Sequence, residues 1–399
     1  MNCRRSNFRV LLAALTLAAA AAAPAAAQPE AALAEQIQAQ GGNIIRDERG
    51  QVVGVSLART WATDADLERI LTLENLQSLD LSLTYVSDAG IERLQELQNL
   101  REINLFAAEF ITDAAIAFLR GHKRLERLNL RGTDVTDTSL VFIAEMTGLK
   151  ALDISYTQIS DVGLEYLAEL TQLEALNLGG NKISGVGLHV LKLLPNLKTL
   201  EFHGIQRRNA GYCWAPVVTD LELDTISLLT QLEELNLSWG VGLGTPRPEG
   251  AGPAGAESEC RIVGGIRITD VGLAKLAELK QLRSLDLSGS LITAAGLAHL
   301  KQMPQIERLS LWNVSRLGDD AAAQLTALTS LVSLDLSDTA ITDDGLKQLA
   351  RLSSLKRLYI SDTKVTPEGL EAFSKARPDC WVSWAQRPEA GATSSEGGS

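Results

Sequence analysis

A 24-residue period, recurring along most of the chain, constrains its folding more than any other feature. From Val52 to Pro378 leucine-like residues recur at positions 1, 4, 6, 11, 16, 19 and 22 of each unit. Leu76, Leu79, Leu81, Val86, Ile91, Leu94 and Leu97 make one copy; Leu149, Leu152, Ile154, Ile159, Leu164, Leu167 and Leu170 make another. Units start at Val52, Leu76, Leu100, Leu125, Leu149, Leu173, Leu197, Leu232, Leu282, Ile306, Leu331 and Leu355, twelve in all. Positions 4 and 6 alternate with polar residues, the period of a short strand with one buried face. Positions 16, 19 and 22 step by three, the inner stripe of a short helix. Neither element can bury its apolar face alone, so the units must stack into one continuous core. The expected fold is an α/β solenoid.

Between strand and helix lies a helix-start signal, Thr or Ser followed by Asp, as in Ser87-Asp88, Thr136-Asp137, Thr269-Asp270 and Thr342-Asp343. The hydroxyl can accept from free N–H groups of the first turn, and the carboxylate sits at the positive end of the helix dipole. Thr60, Thr84, Thr133, Thr157, Thr339 and Thr363 recur at position 9, where a turning backbone favours a small hydrogen-bonding side chain.

The resulting pattern, L-x-x-L-x-L-x-x-T-x-[VI]-[TS]-D-x-G-L-x-x-L-x-x-L, resembles the leucine-rich repeat family. It is most similar to the helix-bearing subtype of exported bacterial repeat proteins, ribonuclease inhibitor and F-box adaptors. The resemblance implies a horseshoe with parallel strands on the concave face, helices on the convex face, and recognition of a macromolecular partner.

The ends read differently. Arg4, Arg5 and Arg9 precede an apolar run closing on Ala25-Ala26-Ala27, which predicts a signal peptide over residues 1–27 and export to the periplasm or beyond the cell. Its removal takes the formal charge from −12 to −15 through loss of three arginines. The remainder holds no apolar stretch long enough to span a bilayer, so no membrane association is expected after cleavage. Residues 28–51 read as an N-terminal cap, a helix over Ala31–Gln40 and a hairpin over Asn43–Val53. Residues 379–384 read as a closing edge strand, with Trp381 and Trp384 packing the cap, and 385–399 as a disordered tail.

Two insertions interrupt the repeat, near 205–218 and 240–267, both between the strand and helix of neighbouring units. They should emerge side by side as a lip beside the concave surface. Cys213 and Cys260 fall one in each insertion of a chain expected to be exported, which predicts a disulfide between them. Cys380 is left as a buried apolar residue.

Position 5 of the strands gives a polar, acidic ladder on the concave face, from Ser56, Asp80 and Asn104 to Asp335 and Tyr359. Large departures at positions 7 and 8, namely Phe106, Arg131, Tyr156, His203, Trp239 and Trp312, together with Tyr359 and with Tyr212 and Trp214 of the first insertion, are the expected partner-binding residues. Some could instead pack beneath the insertions, Trp239 above all.

An acidic chain opposes binding of nucleic acid. No nucleophile elbow, phosphate loop or zinc signature is present, and Gly240-x-Gly242-x-Gly244 runs into Pro246 and Pro248 instead of a helix. No enzyme, cofactor or metal is therefore expected. The sequence reads as an exported, monomeric protein-binding scaffold. Glycan or cell-envelope polymer binding, with Trp239, Trp312 and Tyr359 as stacking platforms, is the alternative. A ubiquitin-ligase substrate adaptor is suggested by the family resemblance alone.

Overall fold

A computed structural model describes residues 27–208, 212–239 and 261–386. The expected signal peptide before Ala27, Cys260 and the rest of 240–260, and the tail from 387 lie outside the described residues. Fourteen strands form one sheet in chain order, parallel throughout except for the first pair. All twelve units contribute a strand at positions 3 to 5, and neighbours pair in strict register, as in Leu79 opposite Ile103 and Leu128 opposite Leu152. Leucine-like residues at the repeating positions fuse into a single core running from Leu33 to Cys380. Helices and 3-10 turns return each unit to the next strand, so strands line one face and helices the other.

Hydrogen bonds, as well as leucines, lock one unit to the next. Asp137 Oδ1 accepts the Ser160 amide at 2.7 Å while Oδ2 accepts the Ser160 hydroxyl at 2.6 Å. The same double contact joins Asp64 to Ser87, Asp88 to Thr112, Asp220 to Thr269 and Asp319 to Thr342. The capping hydroxyls also accept from their own helix, but at a longer 3.3 Å for Thr136. The Thr/Ser-Asp pair is therefore both a helix start and a link between units, the second role being invisible in a single repeat. Gly163 shows why glycine follows two residues later: a Cβ there would lie 2.3 Å from Asp137 Oδ1. Where Ser139 occupies that position, its hydroxyl donates to Asp113. Bonds from Thr366 hold the Asp343 carboxyl below the usual range.

Position 9 threonines turn the chain by donating to the carbonyl three residues back, as Thr133 does to Leu130 at 2.6 Å. Position 5 carboxylates and amides accept the amide two residues on, Asn129 from Arg131 at 3.0 Å and Asp335 from Ser337 at 3.0 Å. The polar ladder thus ends most strands as well as covering the sheet.

Both ends are closed. A helix over Ala27–Ala39 packs beside a hairpin of Asn43–Arg46 and Val52–Ser56, whose second strand is that of the first repeat. Glu30 ties them by accepting the Val52 amide at 2.8 Å and Arg46 at 3.0 Å. At the far end Trp381–Ser383 adds in parallel to Arg357–Tyr359. Buried Arg377 donates to the Leu352 carbonyl and, at 2.7 Å, to the Leu355 carbonyl, satisfying groups that a following repeat would otherwise meet. Arg377 and Lys356 hold the Asp379 carboxyl far below its ordinary value. Cys380 is a buried free thiol, pushed up by desolvation.

The insertions are more ordered than a pair of surface loops. Gln206–Arg208 pairs antiparallel with Tyr212–Thr219, which pairs in parallel with Arg261–Arg267. This second sheet has a small core of Ile205, Cys213 and Ala215, with Trp239 packed against it. The Val217 amide bonds the Ile183 carbonyl at 2.8 Å, anchoring the sheet to the solenoid.

Candidate functional site

Four of the expected residues, from four different repeats, meet on the strand-lined face. The guanidinium carbon of Arg131 lies 4.4 Å from the Tyr156 ring centre and 5.9 Å from that of Phe106. Tyr156 meets His203 edge-on at 6.4 Å, and Arg131 Nη1 lies 3.3 Å from His203 Nε2. Arginine can only donate, so Nε2 accepts and the ring proton sits on Nδ1. That buried nitrogen lies 3.2 Å from Glu201 Oε2, out of line for a hydrogen bond. All four side chains are half-buried, leaving one face of the cluster open.

The sequence allows this packing because its neighbours are small. Gly179 and Gly180 occupy positions 7 and 8 of the unit between Tyr156 and His203, and a Cβ at Gly180 would lie 2.9 Å from the Tyr156 ring. A Cβ at Gly204 would fall 1.9 Å from the Tyr156 hydroxyl. Tyr156 has φ +57°, the left-handed turn that position 8 also takes at Arg59, Leu83, Ala107, Asn313, Asp338 and Asp362, so the conformation belongs to the repeat and only the ring is unusual there. Stacking on Arg131 and a bond from Gln206 Nε2 to the Tyr156 carbonyl, 2.7 Å, fix the residue against its neighbours. The insertion sheet, through Gln206, thus directly supports the cluster.

Beneath it runs an acidic row. Asn177 Nδ2 donates to Glu201 Oε2 at 3.1 Å and reaches Asp153 Oδ2 at 3.5 Å. Burial pushes the Asp153 carboxyl up, against hydrogen bonds from Ser155 that pull it down. Cation, aromatics and carboxylates within one patch suit anchoring of a partner chain, a combination enriched at interfaces.

The other expected residues stand apart. Trp239 lies beneath its own insertion: a Cβ at Gly265 would meet its ring at 2.0 Å, and Gly289 faces its Cβ. Trp214 is half-buried in the insertion sheet with Lys182 over its ring at 5.6 Å. Tyr212 belongs to the same strand, its side chain outside the described residues. Half-buried Trp312 is three repeats beyond His203, roughly 14 Å at ordinary strand spacing. Tyr359 lies two repeats further and contacts Trp381 edge-on at 5.4 Å. The set is therefore one compact cluster plus dispersed residues. Sequence reasoning passed over Trp61, Tyr85 and Phe110, although aromatic residues near position 10 of three successive units were a visible signal.

Among the described residues no group of three His, Cys, Asp or Glu could hold a metal ion, and no helix is long and apolar enough to cross a membrane.

Family models described as leucine rich repeat match residues 123–183, 147–204, 327–350 and 351–374. An internalin of Listeria monocytogenes is similar in structure, with a TM-score of 0.54 and 19% identity over 90% of this chain and 93% of that one. A leucine-rich repeat protein of Leptospira interrogans gives 0.45 and 20% identity over 80% and 87%, and internalin C2 of Listeria monocytogenes 0.39 and 22% over 61% and 83%. No curated protein matches the chain. At 19% identity the first of these likenesses speaks to the fold alone. With a strand from every unit in one sheet, the helices opposite and family models matching 123–204 and 327–374, the chain carries leucine-rich repeats and folds as a leucine-rich repeat solenoid.

Proposed function

We propose that this protein is an exported scaffold that captures a protein partner on its concave face, with Phe106, Arg131, Tyr156 and His203 as anchors. A leucine-rich repeat fold supports a protein-interaction role in general terms. The observation that carries the specific site is the stacked cluster, in which side chains from four repeats converge on one half-buried patch. The acidic row behind Arg131 favours a partner whose complementary surface is neutral or basic.

The insertion sheet forms the lip of this site, tied by a Cys213–Cys260 disulfide. Cys213 is buried at 1% exposure, and the strand it pairs with begins at Arg261, one residue after Cys260. Trp214 is the lip's contribution to the contact surface, while Trp239 holds the lip to the solenoid. Export rests on the sequence of residues 1–27, and no catalytic role is assigned.

Affinity capture from the envelope and secreted fractions of the native cell tests the reading, with the wild type beside an Arg131→Ala/Tyr156→Ala variant verified folded. A protein retained by the wild type and lost by the variant is the expected result. Equal retention by both would remove the cluster from the interface.

A further inference from the structure

A second surface lies on the rim of the first three repeats, where strand turns into helix. Trp61, Tyr85 and Phe110 stand one above another, with ring centres 5.5 Å and 6.2 Å apart. The Trp61 and Tyr85 planes differ by only 5°, so the indole is stacked on the phenol. The three side chains are 82%, 49% and 50% exposed, a large apolar area to leave in water. Isolated residues of this size need no explanation, but three in register do. They have no part in the leucine core, and the ladder stops at the next repeats, where Asp134, Gln158 and Lys182 continue the row.

Trp61 belongs to the first repeat, and among the described residues nothing before it supplies a ring to cover its outer face. What would complete such a stack is a flat group able to bind an indole face. The surrounding charge selects among the candidates: at the strand-to-helix junctions that carry the ladder, Asp64, Asp88, Asp113 and Glu109 stand against one arginine, Arg59. Exposed Glu109 directly precedes Phe110, so the rim beside the ladder is net acidic. A planar cation satisfies both requirements, because guanidinium stacks on aromatic faces and is weakly hydrated. The molecule already uses this arrangement internally, with Arg131 between Phe106 and Tyr156.

We propose that the Trp61–Tyr85–Phe110 ladder is a docking surface for an arginine-bearing segment of a protein partner, distinct from the concave cluster. The arginine stacks on the outer indole face, and neighbouring basic residues of the same segment face the acidic rim. Neutral sugars, which also stack on aromatics, would draw nothing from the charge of the acidic rim.

Titration calorimetry on the purified protein tests this, using a short peptide of alternating Arg and Gly, its Lys–Gly counterpart, and cellohexaose, at about 0.15 M salt to screen diffuse attraction. The Arg peptide should bind more tightly than the Lys peptide. Trp61→Ala should weaken it by about fivefold, with Trp61→Phe retaining part of the affinity. Trp61 is so exposed that its loss leaves the fold intact. Arg131→Ala/Tyr156→Ala should leave this binding unchanged, which separates failure here from failure of the concave site. Equal affinity for the two peptides, indifference to Trp61→Ala, or ladder-dependent binding of cellohexaose in place of the peptide would each overturn the proposal.

Discussion

Replacing Asp137 by alanine isolates the contact that joins one repeat to the next. Its two oxygens accept the Ser160 amide and hydroxyl at 2.7 and 2.6 Å, and its charge sits at the start of its own helix. Hydrogen bonds to a charged acceptor are worth about 1.5–3 kcal/mol each, and a part-buried amide left without a partner retains its desolvation cost. The Ser160 hydroxyl can turn toward solvent and recover part of its loss. Asp137→Ala should therefore cost about 3 kcal/mol, with a few tenths more from the helix dipole. Asp137→Asn keeps an acceptor for the amide and offers a donor to the hydroxyl oxygen, so its cost should be about 1 kcal/mol. Repeat arrays can open locally, so urea unfolding should be accompanied by amide exchange, with Ser160 exchanging faster in the alanine variant. If Asp137→Ala changes stability by less than about 0.5 kcal/mol, or if Asn is as damaging as Ala, the ladder does not hold the repeats as argued.

Other predictions concern buried groups. His122 is fully buried with Nδ1 3.1 Å from the Leu119 carbonyl and Nε2 3.0 Å from the Leu94 carbonyl, so His122→Ala should cost about 2–4 kcal/mol in thermal unfolding. Burial raises the Asp153 carboxyl, so the folded state holds this proton more tightly than the unfolded one. Its contribution should improve as pH falls through that raised value, and Asp153→Asn should be more stable than wild type at neutral pH, read by unfolding midpoints. Asp343 is lowered, and the sign reverses. Its stabilisation is present above the ordinary carboxylate value and fades as pH falls through the depressed one, so wild type and Asp343→Asn should converge in acid. Reducing a Cys213–Cys260 disulfide would release a loop worth roughly 4 kcal/mol on the chain-entropy argument. Cys213→Ser should accordingly lower stability under oxidising conditions only, and an equal loss with reductant present would exclude the bond.

The repeat was legible because leucine spacing reports burial directly: Leu79, Leu128 and Leu152 are core residues at the strand positions their period assigns. Contacts between units were not. The Asp137–Ser160 bond joins residues 23 apart, and its logic shows only when a glycine such as Gly163 is seen to clear space for a carboxylate from the preceding unit. The insertions lack the period, so no pattern foretold that Tyr212–Thr219 and Arg261–Arg267 would pair in parallel across a long sequence gap. For the candidate site, unusual residues at positions 7 and 8 pointed to the correct face. Convergence of Phe106, Arg131, Tyr156 and His203 depended on Gly179, Gly180 and Gly204 leaving room, a property of neighbours and not of the residues themselves. Trp61, Tyr85 and Phe110 lie in the turns between strand and helix, where no hydrophobic period distinguishes a stacked ring from an isolated one.

The most direct measurement is hydrogen exchange of the protein with and without its captured partner. The account predicts slowed exchange at 104–107, 129–132, 153–157 and 201–206, the turns that carry the concave cluster. Protection confined to the helices of the opposite face would contradict it.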